Sequence, residues 1–344
     1  MKAIIKSKPG TDETPWPVGL QLVDKAIPEV EESTDVKVRV VAGAICGTDA
    51  GIYESKDSLR REMAKLDKPD VIIGHEFCGK IVDAGTRAKE VLAGMMIAKS
   101  TKQPALKKFV GHKNARQLAK QQDFIRMLTD KFYASAEMHV TDGTCYQCRL
   151  GEKHVCQNTI IKGIHDDGAF AEYVVVPVQN VILFNDGEIA PEVIAFMDAI
   201  GNATHTVQST PVVRETVAVL GCGVQGLMAT AVAKFAGAKK IFVTDASHGS
   251  FSHEKLQSTR FKLAREYGAN YCFDVSLPSE KEEFYKTVMK ETKNTGVDAV
   301  WRHRPASGVA AAVPAAANGR MPTDGGRDGR RYTKLHQHRR EIRA

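Results

Sequence analysis

Residues 216–226 read Thr-Val-Ala-Val-Leu-Gly-Cys-Gly-Val-Gln-Gly, an apolar run of strand character that breaks into glycines at Gly221, Gly223 and Gly226. The glycines permit a tight turn and let backbone amides approach a pyrophosphate, and a helix opening there offers its N–H groups and dipole to the same anion. Val224 and Gln225 complete the turn. Asp245 lies nineteen residues after Gly226 and ends the next apolar run, Ile241-Phe-Val-Thr-Asp. A carboxylate there accepts from a ribose 2′-hydroxyl and repels a 2′-phosphate, so NAD is expected rather than NADP. Tyr271–Phe273 and Val297–Trp301 supply third and fourth parallel strands, with crossover helices around Phe261–Tyr267 and Lys281–Lys290.

Three groups of metal-ligating side chains precede this unit: Cys46-Gly-Thr48-Asp49, then Gly74-His75-Glu76, then Asp142-x2-Cys145-x2-Cys148-x7-Cys156. The last group offers three thiolates and a carboxylate within one loop, a closed tetrahedral donor set for a structural zinc. Cys46 and His75 are too distant in sequence for a local finger. Folded together, a thiolate, an imidazole and one carboxylate, from Glu76 or Asp198, leave a position open for a substrate oxygen, as a catalytic zinc requires. Taken alone, His75 is more readily a packing or capping residue than a ligand.

The seven cysteines, an odd number, fit metal ligation in a reducing compartment better than a disulfide framework; Cys78, Cys222 and Cys272 are then small apolar side chains. At 344 residues and 43% hydrophobic content, about two domains can each bury a core. The longest uncharged stretch, Val217–Ala233, is broken by glycines, and Lys6 and Lys8 interrupt the N-terminus before a signal-peptide core can form. A cytoplasmic protein without a membrane span is expected. The net charge of +7 resides in the segment Arg302–Ala344, with ten Lys/Arg against three Asp/Glu, so no nucleic-acid partner is expected of the folded body. A homo-oligomer is compatible with the composition but not specified by it.

Residues 1–60 carry short β-rich runs such as Val36–Val41, continued by Ile72-Ile73, Gly79–Val82 and Gly168–Pro177, which together suggest a small barrel or sandwich around the metal ligands. Lys99–Ser135 differs in character. Leu118, Ile125, Leu128 and Phe132 recur at helical spacing and predict an amphipathic helix of about five turns, inserted at the surface or serving as a lid. Beyond Trp301 no apolar period remains.

At these residues the chain resembles the zinc-dependent medium-chain alcohol and polyol dehydrogenases, and within them the L-threonine 3-dehydrogenase and sorbitol dehydrogenase branch. The resemblance spans about 1–301 and rests on Ala44–Asp49, Gly74–Phe77, the cysteine loop, Gly168–Tyr173, Asp198–His205 and the glycine turn. It implies a GroES-like β-barrel catalytic domain over 1–183, carrying the insertion at 99–135. It further implies an α/β, doubly wound Rossmann domain over 184–301 that is incomplete, followed by an irregular basic tail at 302–344. Cys46, His75 and Asp198 match catalytic zinc ligands, Glu76 a carboxylate able to enter the zinc shell, and Asp49 a partner of the ligand histidine. Thr48 matches the hydroxyl that takes the substrate proton. Two zinc ions per chain and NAD follow, with a small-molecule alcohol as substrate.

The chain departs from that branch at Gly51, where a histidine would close the proton relay, at Asp142, where the first structural cysteine would stand, and in a second insertion at His248–Ser258. Its ending also lacks the pattern of further Rossmann strands. The rival expectation is a catalytically impaired zinc- and nucleotide-binding protein with an interaction role; NADH formation from an alcohol separates the two.

Overall fold

The computed structural model describes residues 1–10, 15–101, 103–302 and 323–324. The chain divides into two compact units, Met1–Met197 and Asp198–Ala344. The expected boundary at 183/184 falls earlier, because the short helix Pro191–Ala195 buries Ile194 and Ala195 against Cys78 of the first unit.

Alternating apolar residues build the first unit as antiparallel ladders. Its main sheet runs Val181–Asn185, Phe132–Ala136, Glu76–Ala84, Asp35–Ala44, Tyr173–Pro177 in spatial order. A second sheet joins Gln21–Asp24, Lys2–Ser7 and Asp70–Ile72, and His139–Val140 pairs with Ile160–Ile161. In Asp35–Ala44 the inward residues Val36 and Val38 are fully buried. They meet Phe77, Ile81, Val174 and Val176 in one core.

The single long helix expected at Lys99–Ser135 is replaced by three shorter ones, Pro104–Val110, Ala115–Ala119 and Phe124–Lys131, preceded by the helix Thr86–Ser100. The breaks have local causes. Pro104 can only open a helix, Gly111 takes a left-handed φ of 57°, and Asn114 caps the next segment reciprocally with Gln117. Helicity also begins at Thr86, well before the expected start, and Phe132 already belongs to a strand. Leu92, Met96, Leu106, Leu118, Phe124 and Leu128 are buried in the same core as Val36 and Phe77, so the segment is part of that core and not a surface lid.

In the second unit, a parallel sheet has the order Tyr271–Asp274, Lys240–Asp245, Thr216–Leu220, Ala299–Arg302, Thr323–Asp324. This is the 3-2-1-4-5 order of a dinucleotide-binding sheet. Every residue of Thr216–Leu220 is buried, which is why it reads as an unbroken apolar run rather than an alternation. The two-residue strand Thr323–Asp324 pairs with Trp301 and Arg302, an addition to the sheet edge that no apolar period announced. The rest of the basic tail expected at 302–344 lies outside the described residues.

The insertion at His248–Ser258 is tied down by charge. His253 Nδ1 stands 3.0 Å from Asp274 Oδ2, and Nε2 stands 3.5 Å from Glu280 Oε1. The hydrogen bond to Asp274, aided by Glu280 and Glu254, holds the imidazole above its ordinary 6.5 despite opposing desolvation. Burial pushes Asp274 up, but hydrogen bonds from Ser247, Ser276 and His253 outweigh it and hold the carboxyl well below its usual range. A raised histidine stabilises the fold fully below its unfolded value and loses that contribution as pH rises through its folded one. Melting temperature followed from mildly acidic to mildly alkaline pH should therefore fall more steeply in the wild type than in His253→Gln; parallel curves would show that the pair contributes nothing.

Candidate metal and nucleotide sites

The first cluster is assembled from a helix start and a loop between strands. Cys46 occupies the N-cap of the helix Gly47–Tyr53, and its N–H donates to Asp49 Oδ2 at 2.8 Å. His75 and Glu76 enter the strand Glu76–Ala84 and are 3% and 5% exposed. One ligand atom from each of Cys46, His75 and Glu76 lies within 4.8 Å of the others. His75 Nε2 is 3.8 Å from Glu76 Oε1 and Nδ1 is 3.6 Å from Asp49 Oδ1. Zinc bonds of about 2.0–2.3 Å give ligand-to-ligand edges of about 3.3–3.8 Å in a tetrahedron, so the donor set fits that ion. The Thr48 hydroxyl stands 3.7 Å from Cys46 Sγ, at the edge of the same cluster.

Close backbone contact holds the histidine loop. A Cβ on Gly168 would sit 2.0 Å from the Gly74 carbonyl oxygen, and one on Gly74 would meet the Phe170 ring at 2.3 Å. With that space free, Gly168 N–H donates to Ile72 O, Ala169 N–H to Gly74 O and Phe170 N–H to Ile73 O. The stretch Gly168–Glu172, expected as strand, is thus a buttress, and the strand proper begins at Tyr173.

Asp198 belongs to the second unit, in the first turn of the helix Met197–Gln208, where Asn202 donates to its carboxylate at 3.1 Å. Sequence reasoning missed Lys6. It is 2% exposed, and its ammonium donates to Pro17 O, Gly19 O and Ser55 Oγ, tying the N-terminal loop to the chain just after the helix that carries Thr48 and Asp49. A lysine inside the apolar run Ala-Ile-Ile-Lys was the available signal.

The second cluster gathers Asp142, Cys145, Cys148 and Cys156. Cys145 and Cys156 sulfurs are 3.8 Å apart, and Cys156 Sγ is 3.6 Å from Asp142 Oδ1, again tetrahedral edges. Asn158 and the N–H groups of Cys145 and Thr144 donate to Asp142 and hold its carboxyl well below the usual range. Backbone donors at Cys148 and Gln157 lower the Cys145 thiol, whereas desolvation pushes Cys148 up to about 12. A divalent cation bound there would favour the thiolate form of the cysteines and offset the crowding of anionic donors. Among the described residues these are the two clusters able to hold a metal. Cys78 and Cys222 are fully buried, and burial pushes both thiols up to about 12. They pack as small apolar groups.

At the glycine turn, Gly221 takes φ +102° and its N–H donates to Thr244 O, while Gly223 caps the twelve-residue helix Val224–Phe235. A Cβ on Gly226 would lie 1.8 Å from the Gly221 carbonyl oxygen, whereas one on Gly223 would meet nothing within 4 Å. The third glycine therefore serves helix-on-turn packing, and the second leaves space above the helix N-terminus. Val224 is 60% exposed there, and Gln225 is half-buried. Asp245 is 5% exposed; its Oδ1 accepts from Ala246 N–H and its Oδ2 from Arg260 at 2.6 Å.

Comparison with known proteins agrees with this geometry. The alcohol dehydrogenase GroES-like domain matches residues 32–123 and 131–186. L-Threonine 3-dehydrogenase of Pyrococcus horikoshii is 34% identical over 298 residues, covering 87% of this chain and 67% of that protein. The enzyme of the same name from Bacillus subtilis is 32% identical over 320 residues, covering 93% and 74%. A Thermus alcohol dehydrogenase shares the fold with a TM-score of 0.64 at 22% identity, over 94% of this chain and 77% of its own. With paired donor clusters in the first unit, a 3-2-1-4-5 sheet in the second and relatives of this similarity over most of its length, the chain belongs to the zinc-dependent medium-chain alcohol dehydrogenase family.

Proposed function

We propose that the substrate oxidised by this chain is a secondary alcohol, a polyol or a hydroxy amino acid. The chain is an NAD-dependent zinc alcohol dehydrogenase-like oxidoreductase. The relatives named L-threonine 3-dehydrogenase favour a hydroxy amino acid. The observation that carries the reading is the convergence of Cys46, His75 and Glu76 beside the Thr48 hydroxyl. Among the described residues no helix is long and apolar enough to cross a membrane.

Cys46, His75 and Glu76 would hold the catalytic ion, and Asp142, Cys145, Cys148 and Cys156 the structural one. When bound, zinc polarises the alcohol oxygen as a Lewis acid and NAD accepts the hydride. Asp49 Oδ1 stands 3.6 Å from Nδ1 of His75, so with an ion bound it would orient the imidazole and leave Nε2 as the ligand nitrogen. Gly221, Gly223, Val224, Gln225 and Gly226 form the pyrophosphate turn, and Asp245 takes the ribose hydroxyls.

Thr48 takes the alcohol proton, and water or another group must carry it onward. Gly51 has no side chain to continue the relay, and Leu59 fills the space, since a Cβ on Gly51 would lie 2.7 Å from its Cδ1. Thr48→Val is expected to lower kcat about a hundredfold while Thr48→Ser stays near wild type, a split readable in steady-state NADH formation. Equal rates for both variants would remove Thr48 from the proton path. The function itself is tested with threonine, sorbitol, butanediol and ethanol on zinc-loaded protein: NADH absorbance should rise with at least one, and a flat trace with all four would favour a binding role.

A further inference from the structure

The segment between Asp245 and Arg260 holds an arrangement that the glycine turn does not need. His248 and Phe251 close a small hairpin through reciprocal backbone hydrogen bonds, and Ser252 caps the helix His253–Ser258 by accepting from Lys255 N–H. The half-buried Phe251 ring carries the Arg260 guanidinium 4.5 Å from its centroid, with the Lys255 ammonium 5.5 Å away. The same guanidinium donates to Asp245 Oδ2 at 2.6 Å, and its backbone carbonyl lies 3.5 Å from Cys222 Sγ in the glycine turn. Arg260 is therefore held on one side by a carboxylate, below by a π-face and at its backbone by the turn.

An arginine beside the ribose carboxylate is ambiguous in principle. A guanidinium free to swing is the residue type that receives a 2′-phosphate, whereas one locked onto the carboxylate leaves the phosphate no partner. Asp245 retains lone pairs for ribose hydroxyls, because a carboxylate has about four acceptor sites and two bonds already run to it. We infer that Phe251 is a specificity-determining residue: by seating Arg260 on its ring it keeps the guanidinium on Asp245 and so keeps the site selective for NAD over NADP. It acts through Arg260 and needs no contact with the cofactor, so it is a positioning residue. The inference rests on the dehydrogenase reading, and specifically on the glycine turn binding a dinucleotide.

The test measures dissociation constants of NADH and NADPH by fluorescence titration of the full zinc-loaded chain. Phe251→Leu keeps apolar packing but removes the π-face, and should lower the ratio of NADPH to NADH dissociation constants about fivefold, the scale of an exposed cation–π contact. Phe251→Tyr should keep the wild-type ratio. Adding Arg260→Gln to Phe251→Leu should abolish the gain in NADPH binding. A Phe251→Leu ratio within twofold of wild type, or a gain that survives in the double variant, overturns the assignment while leaving the nucleotide reading intact. Wild-type protein that binds neither nucleotide overturns both.

Discussion

Cys46→Ser is expected to leave the purified chain with one zinc ion in place of two and to lower kcat/KM about a thousandfold or more. The magnitude follows from removing a Lewis acid that supplies several kcal/mol of transition-state stabilisation, at tenfold in rate for about 1.4 kcal/mol. Serine conserves size and can still occupy the helix N-cap, so the backbone bond from residue 46 to Asp49 survives and the loss is one of ligand chemistry. Asp142→Ala is the control. It removes a donor from the other cluster and the acceptor that orders Thr144, Cys145 and Asn158, so it should also leave one zinc, but with a lower melting temperature and a smaller effect on kcat. Metal analysis of both variants beside steady-state kinetics decides the matter. Two zinc ions retained in Cys46→Ser would remove Cys46 from the catalytic site.

The two glycines of the nucleotide turn should fail differently. Gly226→Ala forces a methyl group to within 1.8 Å of the Gly221 carbonyl oxygen, a backbone atom that cannot rotate aside. The helix Val224–Phe235 must then lift from the turn, costing about 3 kcal/mol of stability together with NADH binding. Gly223→Ala adds its methyl to open space, so the melting temperature should hold. NADH affinity should still fall at least about tenfold, since that space lies above the helix N-terminus where the pyrophosphate must approach. Calorimetry paired with NADH titration separates a fold effect from a cofactor effect. If Gly223→Ala bound NADH as tightly as wild type, the pyrophosphate would not lie over this turn.

Much of the fold was legible because its signals are local. The run Thr216–Leu220, its glycines and Asp245 all lie within 30 residues of one another, and each constrains its own backbone. The loop from Asp142 to Cys156 was legible for the same reason: a tetrahedral donor set within 15 residues closes on itself whatever surrounds it. The helical segment after Ala84 was only half legible. Leu118, Ile125, Leu128 and Phe132 recur at helical spacing, but Pro104, Gly111 and Asn114 punctuate the segment before them, and they needed more weight than the spacing.

The sequence by itself determined the donor types, the glycine turn and the ribose carboxylate, because chemistry and short-range backbone geometry are properties of residues. Only the tertiary structure decided that Cys46, His75 and Glu76 meet, that Gly168 presses against Gly74, and that Phe251 and Asp245 share Arg260. Those contacts join residues up to about a hundred positions apart, and packing, which has no signature along the chain, is what brings them together.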